Sequence, residues 1–241
     1  TLFNKPGLTQ QREKFRLLPR RLIEMGCQRD IEPTRKPATE TAILSGRYQL
    51  MELIGQGASA QVFRALDRMT GRIVAVKRFN AHFFSTDSTL QERLREEVSV
   101  QFKLHHSGIA EMLDVDFDDD TPFIVIEYLD GVTLHRMLEE HGSLPVAEAM
   151  TIMRALLDTL HYLHNHGVIW RDVKPANILL TLQGRVVIVD FGTAQTVQNA
   201  SEGPDTTRLG FAAGTPAYMS PEQVRGEMQT AASDLFSLGV I

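Results

Sequence analysis

The sequence predicts an α+β fold in two lobes: a small lobe built on a five-stranded antiparallel sheet with one helix, and a larger, mainly helical lobe. Three observations predict it. Short β-branched runs punctuated by Gly, Asp and Thr-Gly turns fill most of residues 47–129. One stretch inside that region, 90–104, instead spaces Leu and Val by four among Glu and Arg, which is helical. Beyond Gly131 long amphipathic stretches replace the strands.

The elements follow in order. Residues 1–45 form a leader punctuated by Pro6, Pro33 and Pro37, with room for one short helix over 16–25 and an end that mixes Pro, Thr and charge as linkers do. "RYQLMELIG" and "AQVFRALD" are strands joined by the Gly-rich turn 55–59, and "TGRIVAVKRF" completes a meander through a turn at Thr70 and Gly71. The helix over 90–104 carries Leu90, Leu94 and Val98 on one face. "AEMLDVDF" and "PFIVIEYL" are strands separated by the turn "DDDTP". "TLHRMLEEHG" is a short helix closed by Gly142. "LPVAEAMTIMRALLDTLHYLHNHG" is a long one, with Pro145 in its first turn, Gly167 as its stop, and Ala149, Met153, Leu156, Leu160 and Leu163 on its apolar face. The domain boundaries expected are 1–45 for the leader, 46–130 for the small lobe and 131–241 for the large one.

Composition narrows the function. With 241 residues, 43% of them hydrophobic and 23% charged, the chain can fill a core and is not disordered by default. A net charge of −5 leaves no electrostatic footprint for nucleic acid. The leader is the exception, with nine basic residues against five acidic ones, and reads as a solvated segment. Cys27 is the only cysteine, which excludes an intrachain disulfide and suits a reducing compartment. Apolar runs such as 178–180 and 186–189 are too short to span a bilayer, and the start lacks a secretory pattern. The expectation is a cytoplasmic protein, or one on the cytoplasmic side of a membrane if an anchor lies outside this sequence.

Four motifs carry chemistry. In "GQGASAQV" the residues Gly55, Gln56, Gly57, Ala58, Ser59 and Ala60 turn between two strands, and glycines there let backbone N–H groups approach phosphate oxygens. Glycine pairs in hairpins are more often only turns, so this motif needs support. "VAVK" supplies some: Lys77 on the third strand suits nucleotide phosphates, while small Ala75 leaves room for a flat base. "VIWRDVKPANILL" decides the matter. Asp172 is placed as the base that orients and deprotonates an attacking hydroxyl, Lys174 as a charge clamp on a transferring phosphate, and Asn177 as a metal ligand through its amide oxygen. In "VVIVDFG" Asp190 ends a buried strand, where a carboxylate needs a metal or a partner, and a hard cation such as Mg²⁺ shared with Asn177 fits.

With "GTPAYMSPE" these motifs occur in the order found in eukaryotic-type Ser/Thr protein kinases, which residues 46–241 resemble, most closely in their bacterial branch. The resemblance implies a two-lobed kinase fold, Mg-ATP as cofactor (Mn²⁺ as the alternative ion) and transfer of the γ-phosphoryl group to Ser or Thr hydroxyls of proteins. It implies that Lys77 pairs with a helix glutamate, Glu97 or the adjacent Glu96. Ile54, Val62, Ala75 and Leu179 enclose the adenine, Ile126 stands as gatekeeper, Glu127 and Leu129 bond the base through their backbones, and Thr133 meets the ribose. Thr215 bonds to the catalytic Asp and Lys, and Lys174 followed by Pro175 favours a Ser/Thr over a Tyr acceptor. Arg171 binds a phosphate on the activation segment, with Thr207, then Thr206, as the phosphosites, Ser201 lying in the same segment, and autophosphorylation in a kinase-domain dimer as the route.

Some positions depart from the pattern. Ala60 replaces the third glycine of the loop; Trp170 replaces a histidine and is expected to pack under Phe191; Gln101 replaces an apolar residue one turn after Glu97. "SDLFSLGVI" resembles the start of the central helix of the large lobe, with Asp234 placed to bind the catalytic-loop backbone. Because Ile241 falls inside that helix, the expectation is a fragment of a longer protein or a truncated product. Two other readings stay open: a pseudokinase that binds nucleotide without transfer, and a truncated regulator of a full-length relative.

Overall fold

A computed structural model of the chain describes residues 42–57, 60–80, 98–99, 101–118, 121–190, 195–196 and 216–241. They divide into two units, one gathering the described parts of Asp30–Lys103 with Ala110–Leu129, the other Leu104–Ile109 with the described parts of Asp130–Ile241. The short helix expected over 16–25, Cys27, Ala58, Ser59, Glu96, Glu97, Phe191, Ser201, Thr206, Thr207 and Thr215 lie outside the described residues.

The first unit is a sheet of order β1-β2-β3-β4-β6-β5, every neighbouring pair antiparallel. Its strands are β1 (Ile43–Leu44), β2 (Tyr48–Gln56), β3 (Ala60–Asp67), β4 (Arg72–Phe79), β5 (Met112–Asp118) and β6 (Thr121–Glu127). The five strands read from sequence are all there. The sixth, β1, comes from residues read as linker: two residues carry no periodicity, and Leu44 earns its place only by burial against Tyr48, Leu50 and Phe123. Strand alternation divides β4 between two faces. Val74 and Val76 join the larger core with Ala65, Phe123 and Val125, which puts Ala75 and Lys77 on the opposite face. Register shifts at Met51 and Ile54 bend β2 just before Gly55.

Charge ties the far edge of this sheet. Arg47 makes a two-pronged contact with Asp67, at 2.9 and 2.8 Å, and reaches Asp114 at 2.9 Å, where the Tyr48 hydroxyl also donates. The Arg47 guanidinium holds the Asp67 carboxyl well below the usual carboxylate range, against the opposing effect of burial. Burial first, then the bond to Asp114, pushes the Tyr48 phenol up. Of the helix expected over 90–104, Val98, Ser99 and Gln101 are described and helical, and Leu104 lies beyond its end.

The second unit carries α1 (Leu134–His141), α2 (Val146–Asn165), α3 (Pro221–Arg225) and α4 (Ala231–Val240) among its described residues. The Thr133 side chain caps α1 by accepting the Arg136 N–H, and Gly142 closes it at φ 76°. The buried face of α2 keeps Leu156, Leu160 and Leu163 of the expected one and departs from it in the first half of the helix. Ile152, Ala155, Leu156, Thr159, Leu160 and Leu163 are inside, whereas Ala149 is exposed and Met153 only half-buried. Both stripes are apolar, and packing rather than periodicity chooses between them.

Two small sheets complete the unit. β9 (Ile178–Thr181) lies between β7 (Gly131–Thr133) and β10 (Val186–Ile188), and β8 (Val168–Ile169) pairs with β11 (Gln195–Thr196). Gly131 is required by its neighbour: a Cβ there would stand 2.3 Å from the Leu180 oxygen and 2.8 Å from the Thr181 Cα. The segment Leu104–Ile109 packs here too, with Ile188 donating to the Gly108 carbonyl at 2.9 Å.

Candidate active site

The loop between β8 and β9 is suspended from a helix. Asp234, 1% exposed in the first turn of α4, accepts the backbone N–H of Trp170 on one carboxylate oxygen at 2.9 Å and that of Arg171 on the other at 2.7 Å. The bond expected between Asp234 and the catalytic-loop backbone is therefore formed. Sequence reading missed the third partner, His164, whose Nε2 lies 2.8 Å from the same carboxylate. Nothing in a helical "LHNH" marks that contact beforehand.

Within the loop, one oxygen of Asp172 is doubly held. Lys174 Nζ and Asn177 Nδ2 both reach Oδ2 at 2.7 Å, and Nδ2 also donates to the Asp172 carbonyl at 3.1 Å. With both held, the carboxylate is locked in rotation, and Oδ1 is the oxygen these contacts leave for another donor. The same bonds fix the Asn177 amide, since its nitrogen faces Asp172 and its oxygen points elsewhere. Pro175–Asn177 form a single 3₁₀ turn, closed by Asn177 N–H onto the Lys174 carbonyl at 3.0 Å.

Asp190 is tied to this loop through its backbone. Val189 donates to the Asn177 carbonyl at 3.1 Å, and the indole Nε1 of Trp170 donates to the Asp190 carbonyl at 2.7 Å. Trp170 is fully buried, so the expectation of a packing residue is met in part. Its second role, a directed hydrogen bond to the backbone of Asp190, was not read from the sequence. Leu179 and Thr133 are cross-strand partners in β9 and β7, with the Thr133 hydroxyl engaged in the α1 cap.

In the first unit Val62 and Ile124 flank Lys77 across β4, and Ile126 pairs with Ala75. The Lys77 ammonium also lies 5.4 Å from the centre of the Phe79 ring. The Glu127 N–H donates to the Glu111 carbonyl at 2.9 Å, so that group is committed within the sheet. Leu129 follows β6 and is half-buried. Gly57 N–H closes onto the Ala60 carbonyl at 2.8 Å. Neither Gly55 nor Gly57 has a positive φ, and a Cβ at either would meet nothing closer than 3.5 Å. The turn itself does not demand glycine.

The protein kinase domain model matches residues 48–241. The chain belongs to the protein kinase domain family. It is 38% identical over 202 residues to a probable serine/threonine-protein kinase of Streptomyces coelicolor, covering 82% of this chain and 30% of that protein. It is 38% identical over 203 residues to serine/threonine-protein kinase PknA of Mycobacterium tuberculosis, covering 82% and 46%. With serine/threonine-protein kinase PrkC of Bacillus subtilis it shares 34% identity over 200 residues, covering 82% and 30%. The chain thus spans less than half the length of these relatives.

Kinase domains use ATP and a divalent metal ion, and the residues present fit both. Gly55 and Gly57, which their own backbone conformation does not require, leave two positions of the β2–β3 turn without side chains, as a phosphate-binding turn would need. The Asn177 amide turns its nitrogen to Asp172, and its oxygen and the Asp190 carboxylate are of the hard donor type that would suit a divalent cation. Among the described residues no group of three His, Cys, Asp or Glu is clustered as a metal site, and a nucleotide-borne ion does not need one. Among the described residues, no helix is long and apolar enough to cross a membrane.

Proposed function

We propose that this chain is the catalytic domain of a Ser/Thr protein kinase, with residues 46–241 as the domain, split at 130/131, and residues 1–45 as a leader. The observation that carries the reading is the locked Asp172 carboxylate, with Oδ2 held at 2.7 Å by both Lys174 and Asn177. Mg-ATP, with Mn²⁺ as an alternative ion, supplies a phosphoryl group whose charge the metal neutralises. Asp172 orients the acceptor hydroxyl through Oδ1 and takes its proton. Lys174 stands beside that carboxylate and offsets negative charge on the group in transfer. Asn177 and Asp190 hold the metal.

In the small unit, Lys77 binds the α- and β-phosphates and pairs with Glu97 or Glu96. Gly55 to Ala60 cover the phosphates. Ile54, Val62, Ala75, Ile126, Glu127 and Leu129 receive the adenine; in the second unit, Leu179 is assigned to the base and Thr133 to the ribose on the family resemblance alone. The acceptor is a Ser or Thr of a protein, a choice supported by Lys174-Pro175, by Thr215 and by the printed names of the relatives. Regulation follows from Arg171, which receives a phosphate at Thr207 or Thr206 after autophosphorylation in a kinase dimer. The test is to supply the purified protein with γ-labelled ATP, Mg²⁺ and a generic basic protein substrate. Label on phosphoserine and phosphothreonine is the expected result. Nucleotide binding without label in either the substrate or the protein would replace this reading with that of a pseudokinase.

A further inference from the structure

Arg171, the residue immediately before Asp172, has φ 69°, in the left-handed region where only one other described non-glycine residue, Ser45, is found. An L residue stays there only when its surroundings over-determine it. One constraint is the Arg171 N–H bonded to Asp234 at 2.7 Å. The other comes from α3. The side-chain Nε2 of Gln223 donates to the Arg171 carbonyl at 2.6 Å, across 52 positions of sequence.

Gln223 is itself fixed. Its Oε1 accepts the Ser220 N–H at 2.9 Å, and its own N–H reaches the Ser220 hydroxyl at 3.4 Å, a reciprocal cap on α3. One end of the amide needs a donor and the other an acceptor, so its orientation is determined by its partners. α3 in turn is tied to α4, because the Ser233 hydroxyl donates to the Glu222 carboxylate. Gln223 also lines a hollow shared with Asp172, Lys174, Tyr218 and Met219.

We propose that Gln223 is a positioning residue for phosphoryl transfer. Together with Asp234 it clamps both backbone groups of Arg171 and so sets the direction of the Asp172 side chain. Asp234 pulls on the N–H from α4 and Gln223 on the C=O from α3. Releasing the carbonyl lets residue 171 relax toward a right-handed or extended φ, which swings the peptide that carries Asp172. Displacement of a catalytic group by about 1 Å costs on the order of 10²-fold in rate, so a partial swing is readable in kcat. This inference rests on the kinase reading above.

Two variants test it. Gln223→Glu keeps an acceptor for the Ser220 N–H but sets a second oxygen against the Arg171 carbonyl. Gln223→Met removes both bonds at similar length. Steady-state kinetics with ATP and a generic Ser/Thr substrate would be measured beside amide hydrogen exchange over residues 170–173. Gln223→Glu is expected to lower kcat about tenfold with the KM for ATP within about twofold, a pattern of lost transition-state positioning. Exchange at 170–173 should rise while Tm stays within about 2 °C, and Gln223→Met should show a smaller effect of the same kind. Unchanged kcat and unchanged local exchange in Gln223→Glu would overturn the proposal. So would a loss of kcat accompanied by a general rise in exchange, which marks a merely structural residue. If the parent protein transfers no phosphate, the kinase reading fails, and local exchange still decides whether the clamp exists.

Discussion

Replacing Asp234 by Asn exposes how much the catalytic loop depends on one buried carboxylate. The two oxygens serve different donors: Oδ1 takes the Arg171 N–H, and Oδ2 takes the Trp170 N–H and lies beside His164 Nε2. An amide keeps one acceptor only. Whichever way it turns, its NH₂ group faces a backbone N–H at hydrogen-bond distance, in a site 1% exposed where water offers little relief. A hydrogen bond to a charged group is worth roughly 1.5–3 kcal/mol, and an orphaned buried donor costs roughly 1–3 kcal/mol more. The expected loss is about 3 kcal/mol, or about 6–12 °C in Tm for a domain of this size. Urea denaturation followed by circular dichroism measures it, with amide exchange at residues 170 and 171 locating the damage. A variant within about 0.5 kcal/mol of the parent, in the range of an ordinary surface substitution, would refute the view that Asp234 suspends the loop.

Two further outcomes follow from the same structure. Stability should fall as pH falls. The folded-state carboxyls of Asp67 and Glu222 are held low, chiefly by bonds from Arg47 and Ser233, so the unfolded chain binds more protons and their stabilisation is lost in acid, beginning near pH ~4. Burial likewise holds the His106 imidazole low, so its contribution begins to fall below pH ~6.5; urea midpoints should decline from pH 7 to 3, and His106→Gln should flatten the upper part. Midpoints that rise on acidification would contradict both signs. Gly131→Ala should cost about 2 kcal/mol or more, because the new methyl meets backbone atoms of β9 rather than a yielding side chain; an unchanged denaturation midpoint would show that β7 and β9 can separate freely.

Much of this is legible in the sequence. The long strands declare themselves through β-branched alternation, and the end of α1 through Gly142, because those signals are local. Asp172, Lys174 and Asn177 fall close together because they share one short loop, and their spacing survives folding intact. What escaped the sequence is set by distant partners. On α2 the periodicity places Leu156, Leu160 and Leu163 inside correctly but chooses Ala149 and Met153 where Ile152 and Ala155 are buried, since both sets are apolar and only the neighbours decide. β7 is too short to show a period. Trp170 reads as bulk, and only the nearby Asp190 carbonyl makes its indole N–H a directed donor. Gln223 carries no local signal in the sequence, because its partner, the Arg171 carbonyl, lies 52 positions away.

The most direct test of the kinase reading is Asp172→Asn in the purified protein, assayed for transfer of labelled γ-phosphate to a Ser/Thr substrate and, separately, for ATP affinity. The substitution keeps the shape of the side chain and its place beside Lys174 and Asn177 but removes the base. Transfer should fall by about 10²–10⁴-fold while the Kd for ATP stays within about twofold. Transfer that persists at near the parent rate would show that Asp172 is not the group that activates the hydroxyl.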